Sequence, residues 1–295
     1  MWNHQLLSRR AGLKYIAGAV LTWGLVLKTS RAQALQVQVM PESPQLGDTI
    51  SVIATLNTQP NQALTVQMEN RSYPMFPLGN NRFRALLPTT PLDQPGAKQI
   101  RVINGSEVQP LTLQLRNRSF STQSIWLPPG KDDIIGTDYE FDRMDAFKAL
   151  VTPRKYWNGP FQRPSSGSVS TTYGIRRYYN GEFAENYYHR GVDYAAGTGS
   201  PVYAPAAGQI AVVGRESQGF ELHGNTVGID HGQGVISVLI HLSRIDVQEG
   251  DLVRAGQVVG GVGSTGISTG PHLHWGLYVN GQAVDPVPWR YNGID

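Results

Sequence analysis

Between Leu35 and Leu115 apolar residues fall at every second position in short runs: Leu35, Val37 and Val39; Ile50, Val52, Ala54 and Leu56; Leu64, Val66 and Met68; Leu111, Leu113 and Leu115. Period two is the repeat of a strand with one buried face, and a helix would scatter the same side chains around its axis. Turn residues close the runs: Pro44, Gly47-Asp48, Gly79-Asn80-Asn81, Pro95-Gly96 and Asn104-Gly105. Residues 35–117 are therefore expected to form a small immunoglobulin-like β-sandwich. This stretch holds no histidine and no clustered carboxylates. It reads as a spacer, a binding module or a structural cover for part of the second domain, and the sequence does not choose among these.

Strands return after Ser168, at Ile210 to Val213, Thr226 to Ile229, Val235 to Leu242, Gln257 to Val262 and His272 to Val279, divided by glycine-rich turns. No helices alternate with them, which excludes a doubly wound fold and predicts an antiparallel sheet over residues 165–295. The chain is thus expected to be mainly β. Residues 118–164 read as a linker with one helix, capped by Thr137 or Asp138 and ending before Pro153. Phe141, Met144, Phe147, Leu150 and Val151 would form its apolar stripe, and Glu140, Asp142 and Asp145 its solvated face.

Residues 1–34 have the three parts of an export signal: basic residues, an apolar run from Tyr15 to Leu27, and Ala32-Gln33-Ala34 as a cleavage site after Ala34. Ser8-Arg9-Arg10-Ala11-Gly12-Leu13-Lys14 resembles a twin-arginine motif, with Gly12 where phenylalanine is usual. The apolar run is shorter than the roughly 20 residues that span a bilayer. The mature form is expected to have no membrane span, and an uncleaved leader would act as an anchor. The net charge of +3 comes from this segment: it carries Arg9, Arg10, Lys14, Lys28 and Arg31 without an acid, and the remaining 20 basic and 22 acidic residues balance at −2. No basic patch argues for nucleic acid. Cysteine is absent, so disulfides, thiolate metal sites and a cysteine nucleophile are excluded.

Six of the seven histidines lie beyond residue 165. On a strand, His272 and His274 point the same way. His189 and Asp193, four apart, converge in either extended or helical chain. Two imidazoles and one carboxylate leave a fourth position open, the pattern of a catalytic rather than a structural zinc. Spacing leaves open which of His272 and His274 would bind the metal, and His241 is a further candidate. His223 and His231 sit near turns and read as surface or structural residues. Gly261-Val262-Gly263-Ser264-Thr265-Gly266 matches a dinucleotide fingerprint in letters only, since no strand–helix unit surrounds it.

Several pieces in order carry a family resemblance: Tyr173-Gly174-Ile175-Arg176, His189-x-x-x-Asp193, Gly199-Ser200-Pro201-Val202 with Ala206-Ala207-Gly208, His241-Leu242, and Ser264-Thr265-Gly266 through Gly270-Pro271-His272-Leu273-His274. Residues 165–290 resemble the M23 metallopeptidases, the lysostaphin and LytM type of peptidoglycan hydrolase. The resemblance implies one Zn²⁺ per chain held by His189, Asp193 and His274, with His241 and His272 as catalytic histidines. It implies hydrolysis of stem or cross-link peptides of peptidoglycan by zinc-activated water, in the periplasm or cell wall. The family often adds a tyrosine, for which Tyr178, Tyr179, Tyr187 and Tyr188 are all candidates. The rivals are a non-catalytic regulator of wall hydrolases, which typically lacks ligands that are present here, and a protease acting on ordinary proteins. A biotinyl or lipoyl carrier, which the Gly250–Gly260 hairpin resembles, is excluded because residues 156–295 contain no lysine.

Overall fold

The alternating runs at the front build eight strands. These are β1 (Leu35–Met40), β2 (Thr49–Leu56), β3 (Thr65–Met68), β4 (Arg71–Pro74), β5 (Phe76–Gly79), β6 (Arg82–Pro88), β7 (Gly96–Asn104) and β8 (Glu107–Leu115). The computed structural model describes residues 35–60, 62–127, 135–291 and 294. The expected leader, residues 1–34, lies outside them. Two antiparallel sheets form, in orders β1-β2-β6-β5 and β4-β3-β7-β8. Their inward residues, among them Ile50, Val52 and Ala54 from one sheet and Val66, Ile100 and Val102 from the other, meet in one apolar core. In the β7–β8 hairpin Asn104 pairs with Glu107, and Gly105 takes the positive φ that the tight turn requires.

Two short segments follow: strand β9 (Thr122–Ile125) and helix α1 (Asp138–Lys148). Thr137 caps the helix, its Oγ1 accepting from the Glu140 N–H at 3.1 Å. The buried positions of α1 are Glu140, Met144 and Phe147, whereas Phe141 is 39% exposed. The core-facing stripe is thus rotated from the one that apolarity predicts, and Glu140 occupies the inner face. It is tolerated there because its carboxylate is fully hydrogen-bonded.

The remaining strands are β10 (Ser168–Thr171), β11 (Arg176–Tyr179), β12 (Glu182–Phe183), β13 (Val192–Ala195), β14 (Pro201–Tyr203), β15 (Gly208–Gly214), β16 (Asn225–Gly232), β17 (Val235–Leu242), β18 (Arg244–Ile245), β19 (Leu252–Val253), β20 (Val258–Gly261), β21 (His272–Val279) and β22 (Gln282–Val284). The main sheet is antiparallel in the order β10-β13-β21-β17-β16-β15-β19, with β22 on β21. Its central strands β16 and β17 are buried at nearly every position, as strands covered on both faces must be. The fold is mainly β, as the pattern predicts. One pairing departs from the antiparallel expectation: β9 runs parallel to β11, Gln123 beside Arg177 and Ile125 beside Tyr179.

Polar contacts tie the front sheets to the main sheet. Arg84 on β6 is fully buried and donates to the Ile294 carbonyl at 2.5 Å and to Gln233 Oε1 at 2.9 Å. Trp289 Nε1 donates to Thr49 Oγ1 at 3.0 Å, and Arg118 pairs with Asp285 at 2.8 Å. Among the described residues no helix is long and apolar enough to cross a membrane.

Candidate metal centre

Strand register builds the centre. β13 lies antiparallel to β21 with Asp193 opposite His274 and Ala195 opposite His272. Directly opposed residues project from the same face, so Asp193 and the two histidines share one side of the sheet. Leu273, Trp275 and Leu277, the intervening residues, are fully buried on the other side. His189 enters from the segment before β13.

Three donor atoms converge. His189 Nε2 lies 3.0 Å from Asp193 Oδ1 and 3.0 Å from His274 Nδ1, and His274 Nδ1 lies 2.8 Å from Asp193 Oδ1. The other ring nitrogen of His189, Nδ1, lies 2.8 Å from the Thr172 carbonyl. A carbonyl only accepts, so the His189 proton sits on Nδ1 and Nε2 turns a bare lone pair inward, beside a carboxylate oxygen. Facing acceptors of this kind suit a cation, and two nitrogens with one oxygen suit zinc. The Nδ1–H bond to a backbone carbonyl is the usual outer support of a metal-bound imidazole. These residues therefore fit a metal ion. Burial opposes ionisation of Asp193, but the adjoining imidazoles of His189 and His274 outweigh it and hold the carboxyl well below the usual range. Burial lowers His274 to about 4, only partly countered by Asp193, so this imidazole is neutral and available as a ligand at pH 7.

Two more imidazoles stand beside this cluster. His272 Nδ1 donates to the Gly270 carbonyl at 2.8 Å, which leaves Nε2 bare and 4.0 Å from Asp193 Oδ1. His241 Nδ1 donates to the Thr265 carbonyl at 2.8 Å, and its ring centroid lies 4.8 Å from that of His272. Strand parity alone would send His241 to the opposite face, because its neighbour Ile240 is the residue paired with His274. The chain resolves this with a left-handed residue: His241 has φ +66°, and the β16–β17 ladder is irregular beside it. A non-glycine residue held there stores about 1–3 kcal/mol of strain, here supported by the N–H bond to the His223 carbonyl at 3.1 Å. Burial, with the neighbouring His272 and His274, pushes His241 well below the ordinary histidine value.

A groove of about 950 Å³ runs over all five residues. One wall comes from Ile267 to Pro271 and the other from Tyr179, Tyr187 and the linker residues Gln123 and Ile125. Of the four candidate tyrosines, Tyr179 and Tyr187 reach the groove, Tyr178 packs on Phe183, and Tyr188 points away to donate to the Ala283 carbonyl. Two participants were not expected from the sequence as site residues. Arg177 Nη2 lies 3.6 Å from Asp193 Oδ2, on the side away from the histidines. His223 lines the groove and does not lie on the outer surface, and its partner is Glu140. His231 is structural as expected but fully buried, linking the Ala207 carbonyl to Ser237 Oγ at 2.8 Å each.

The surrounding sequence is similar to known peptidases. Residues 187–286 match the model of peptidase family M23. Ninety-nine residues, 34% of the chain, are 50% identical to 22% of the DD-carboxypeptidase/endopeptidase Mpg of Neisseria meningitidis. Ninety-eight residues, 33% of the chain, are 42% identical to 22% of the peptidoglycan DD-endopeptidase ShyC of Vibrio cholerae. The chain thus matches about a fifth of the length of these curated relatives. A solved Pseudomonas aeruginosa protein assigned to peptidase M23 superposes over 83% of this chain and 94% of its own, with TM-score 0.62 and 26% identity.

Proposed function

We propose that this chain, whose residues 187–286 match the model of peptidase family M23, is an exported zinc metalloendopeptidase that hydrolyses stem or cross-link peptides of peptidoglycan. The observation that carries this reading is the convergence of His189, Asp193 and His274 beneath a groove onto which His241 and His272 both open. His189 Nε2, Asp193 Oδ1 and His274 Nδ1 would hold the zinc. When bound, the ion supplies a Lewis acid that polarises the scissile carbonyl and makes water a nucleophile near neutral pH.

The chain's own residues do the rest. His241 and His272 each have Nδ1–H fixed on a backbone carbonyl, so each presents Nε2 to the substrate. One Nε2 accepts the proton of the attacking water and delivers it to the leaving amine, and the other, carrying a proton taken up from solvent beforehand, hydrogen-bonds the tetrahedral oxygen. The carbonyls at Nδ1 stabilise the imidazolium that forms. Arg177 balances the charge of Asp193 from the far side. The walls of the groove hold an extended peptide across the pair.

The peptidoglycan substrate rests on the relatives' names, and export rests on residues 1–34. Purified protein should contain one zinc per chain and release muropeptides from purified wall, identified by mass. Bound zinc without release from any wall type would refute the hydrolase reading and favour a regulator. A mature chain beginning at Leu35 would establish the leader, and an intact leader in exported protein would make it an anchor.

A further inference from the structure

Helix α1 lies outside the residues that match the peptidase family, yet it places a carboxylate behind the groove. Glu140 is fully buried. Its Oε1 accepts from the His223 N–H at 2.7 Å and from His223 Nδ1 at 2.6 Å, and its Oε2 accepts from the Leu222 N–H at 3.0 Å. Burial works against ionisation, but the bonds from His223 and Leu222 prevail and keep the carboxyl low. A charge hidden in this way needs all of its partners.

The turn that Glu140 holds is wired to the catalytic set. The His223 carbonyl accepts the His241 N–H that supports the left-handed residue. Leu222 accepts from the Ile267 N–H at 3.0 Å, and Asn225 N donates to Thr265 Oγ1 at 2.9 Å. Thr265 in turn anchors His241 Nδ1. Gly224 makes this contact possible: a Cβ there would stand 2.4 Å from Thr265 backbone, and its φ is +67°. The His223 ring completes the wall. Its Nδ1–H is committed to Glu140, so Nε2 is the nitrogen left for the groove, and among the described residues it has no hydrogen-bond partner.

We infer that Glu140 is a positioning residue of the active site and that His223 is a substrate-binding residue, whose Nε2 accepts an N–H of the peptide lying in the groove. The inference rests on the hydrolase reading for the role of His241, and it makes the linker helix part of the site. A buried carboxylate behind an imidazole fixes its tautomer and raises the acceptor strength of the far nitrogen, which suits an amide or amine donor.

The test uses the full mature chain loaded with zinc and a soluble cross-linked muropeptide dimer. Asparagine reproduces the Nδ1 position of histidine but not Nε2, so His223→Asn keeps the bond to Glu140 and removes the groove contact. KM should rise about fivefold, the size of one lost hydrogen bond, with kcat within about twofold, zinc content unchanged and the same unfolding midpoint. Glu140→Gln places an amide where three donors need acceptors. It should lower kcat as well as raise KM, retain zinc, and shift the His241 and His223 Nδ1–H signals in nitrogen-resolved NMR spectra. If His223→Asn leaves KM unchanged, or loses zinc together with turnover, the binding role is wrong. If Glu140→Gln leaves kcat and the His241 signal unchanged, the positioning role is wrong. Calorimetry with the turnover-silenced His272→Ala protein separates this inference from the hydrolase reading. Weaker dimer binding after adding His223→Asn supports the wall even if no wall type is cleaved, and equal binding or none overturns it.

Discussion

The front sheets and the main sheet are built from the same alternation, but they treat polar groups differently. The core shared by β1 to β8 is apolar throughout. Among the charged residues of that region only Arg84 is fully enclosed, and it points at the main sheet. The main sheet buries His189, Asp193, His231 and His241 within a few strands of one another. Burying a polar group is costly unless it is hydrogen-bonded, and a buried charge more so. One region therefore keeps histidines and carboxylates out of its shared core, and the other accepts unfavourable burial to fix donor atoms within 3.0 Å of one another. Such a concentration of buried, bonded, titratable groups distinguishes a site from a scaffold of the same architecture.

Removing one donor gives the largest contrast. His274→Ala leaves Asp193 and His189 facing each other with no third ligand, and zinc content and peptide release should both fall to background. Chelation of the parent should do the same, with activity restored by zinc. A His274→Ala protein that keeps stoichiometric zinc would move the ligand set elsewhere. Next comes His241→Ala, which should keep most of its zinc and lose about 10²–10⁴-fold in turnover, the usual contribution of a general acid–base residue. Unimpaired turnover there would remove His241 from the mechanism.

These two residues also differ in how legible they were. His274 and His272 follow from strand parity, and His189 and Asp193 from their spacing, because a regular strand fixes which side chains share a face. Parity fails for His241: its φ of +66° turns it onto the groove face, and no neighbouring residue announces such a turn. The long strands of the main sheet were readable from their apolar runs and glycine boundaries. Strand β9, a four-residue polar segment whose partner lies far along the chain, carries no such signal. Glu140 departs from the expected solvated face for a related reason. An acid on a helix is usually solvated, and the donors that make it a buried residue come from a turn 82 residues away. Short-range pattern reports which faces are apolar, whereas a buried polar network depends on contacts that only the folded chain brings together.

The comparison can also be probed through stability alone. Arg84→Ala should destabilise the chain by about 1–3 kcal/mol, since it leaves Gln233 Oε1 and the Ile294 carbonyl without their buried donor. Denaturant unfolding would measure this, and zinc content should not change. An effect below about 1 kcal/mol would mean that Arg84 is dispensable to the contact between the two regions.

His231 gives the smallest effect, and it is one that appears only with pH. Burial lowers this histidine to about 4, with the Ala207 carbonyl only partly opposing the shift. The unfolded chain binds the same proton near 6.5. Above pH 6.5 neither state is protonated at this residue, and its full stabilising contribution is present. Between pH 6.5 and 4 the unfolded state holds more protons, so stability falls as pH falls, by up to about 3 kcal/mol for a shift of this size. Below about 4 both states are protonated and the slope from this group ends. His231→Gln, whose amide can still bond Ala207 and Ser237, should be less stable than the parent at pH 7 and should lose less stability on acidification. Measuring both proteins by urea unfolding in the presence of a chelator cancels the contributions of Asp193 and His274. Identical pH slopes in the two proteins would mean that His231 already takes up its proton in the folded state, and that burial on the reverse face of the sheet is not what holds it neutral.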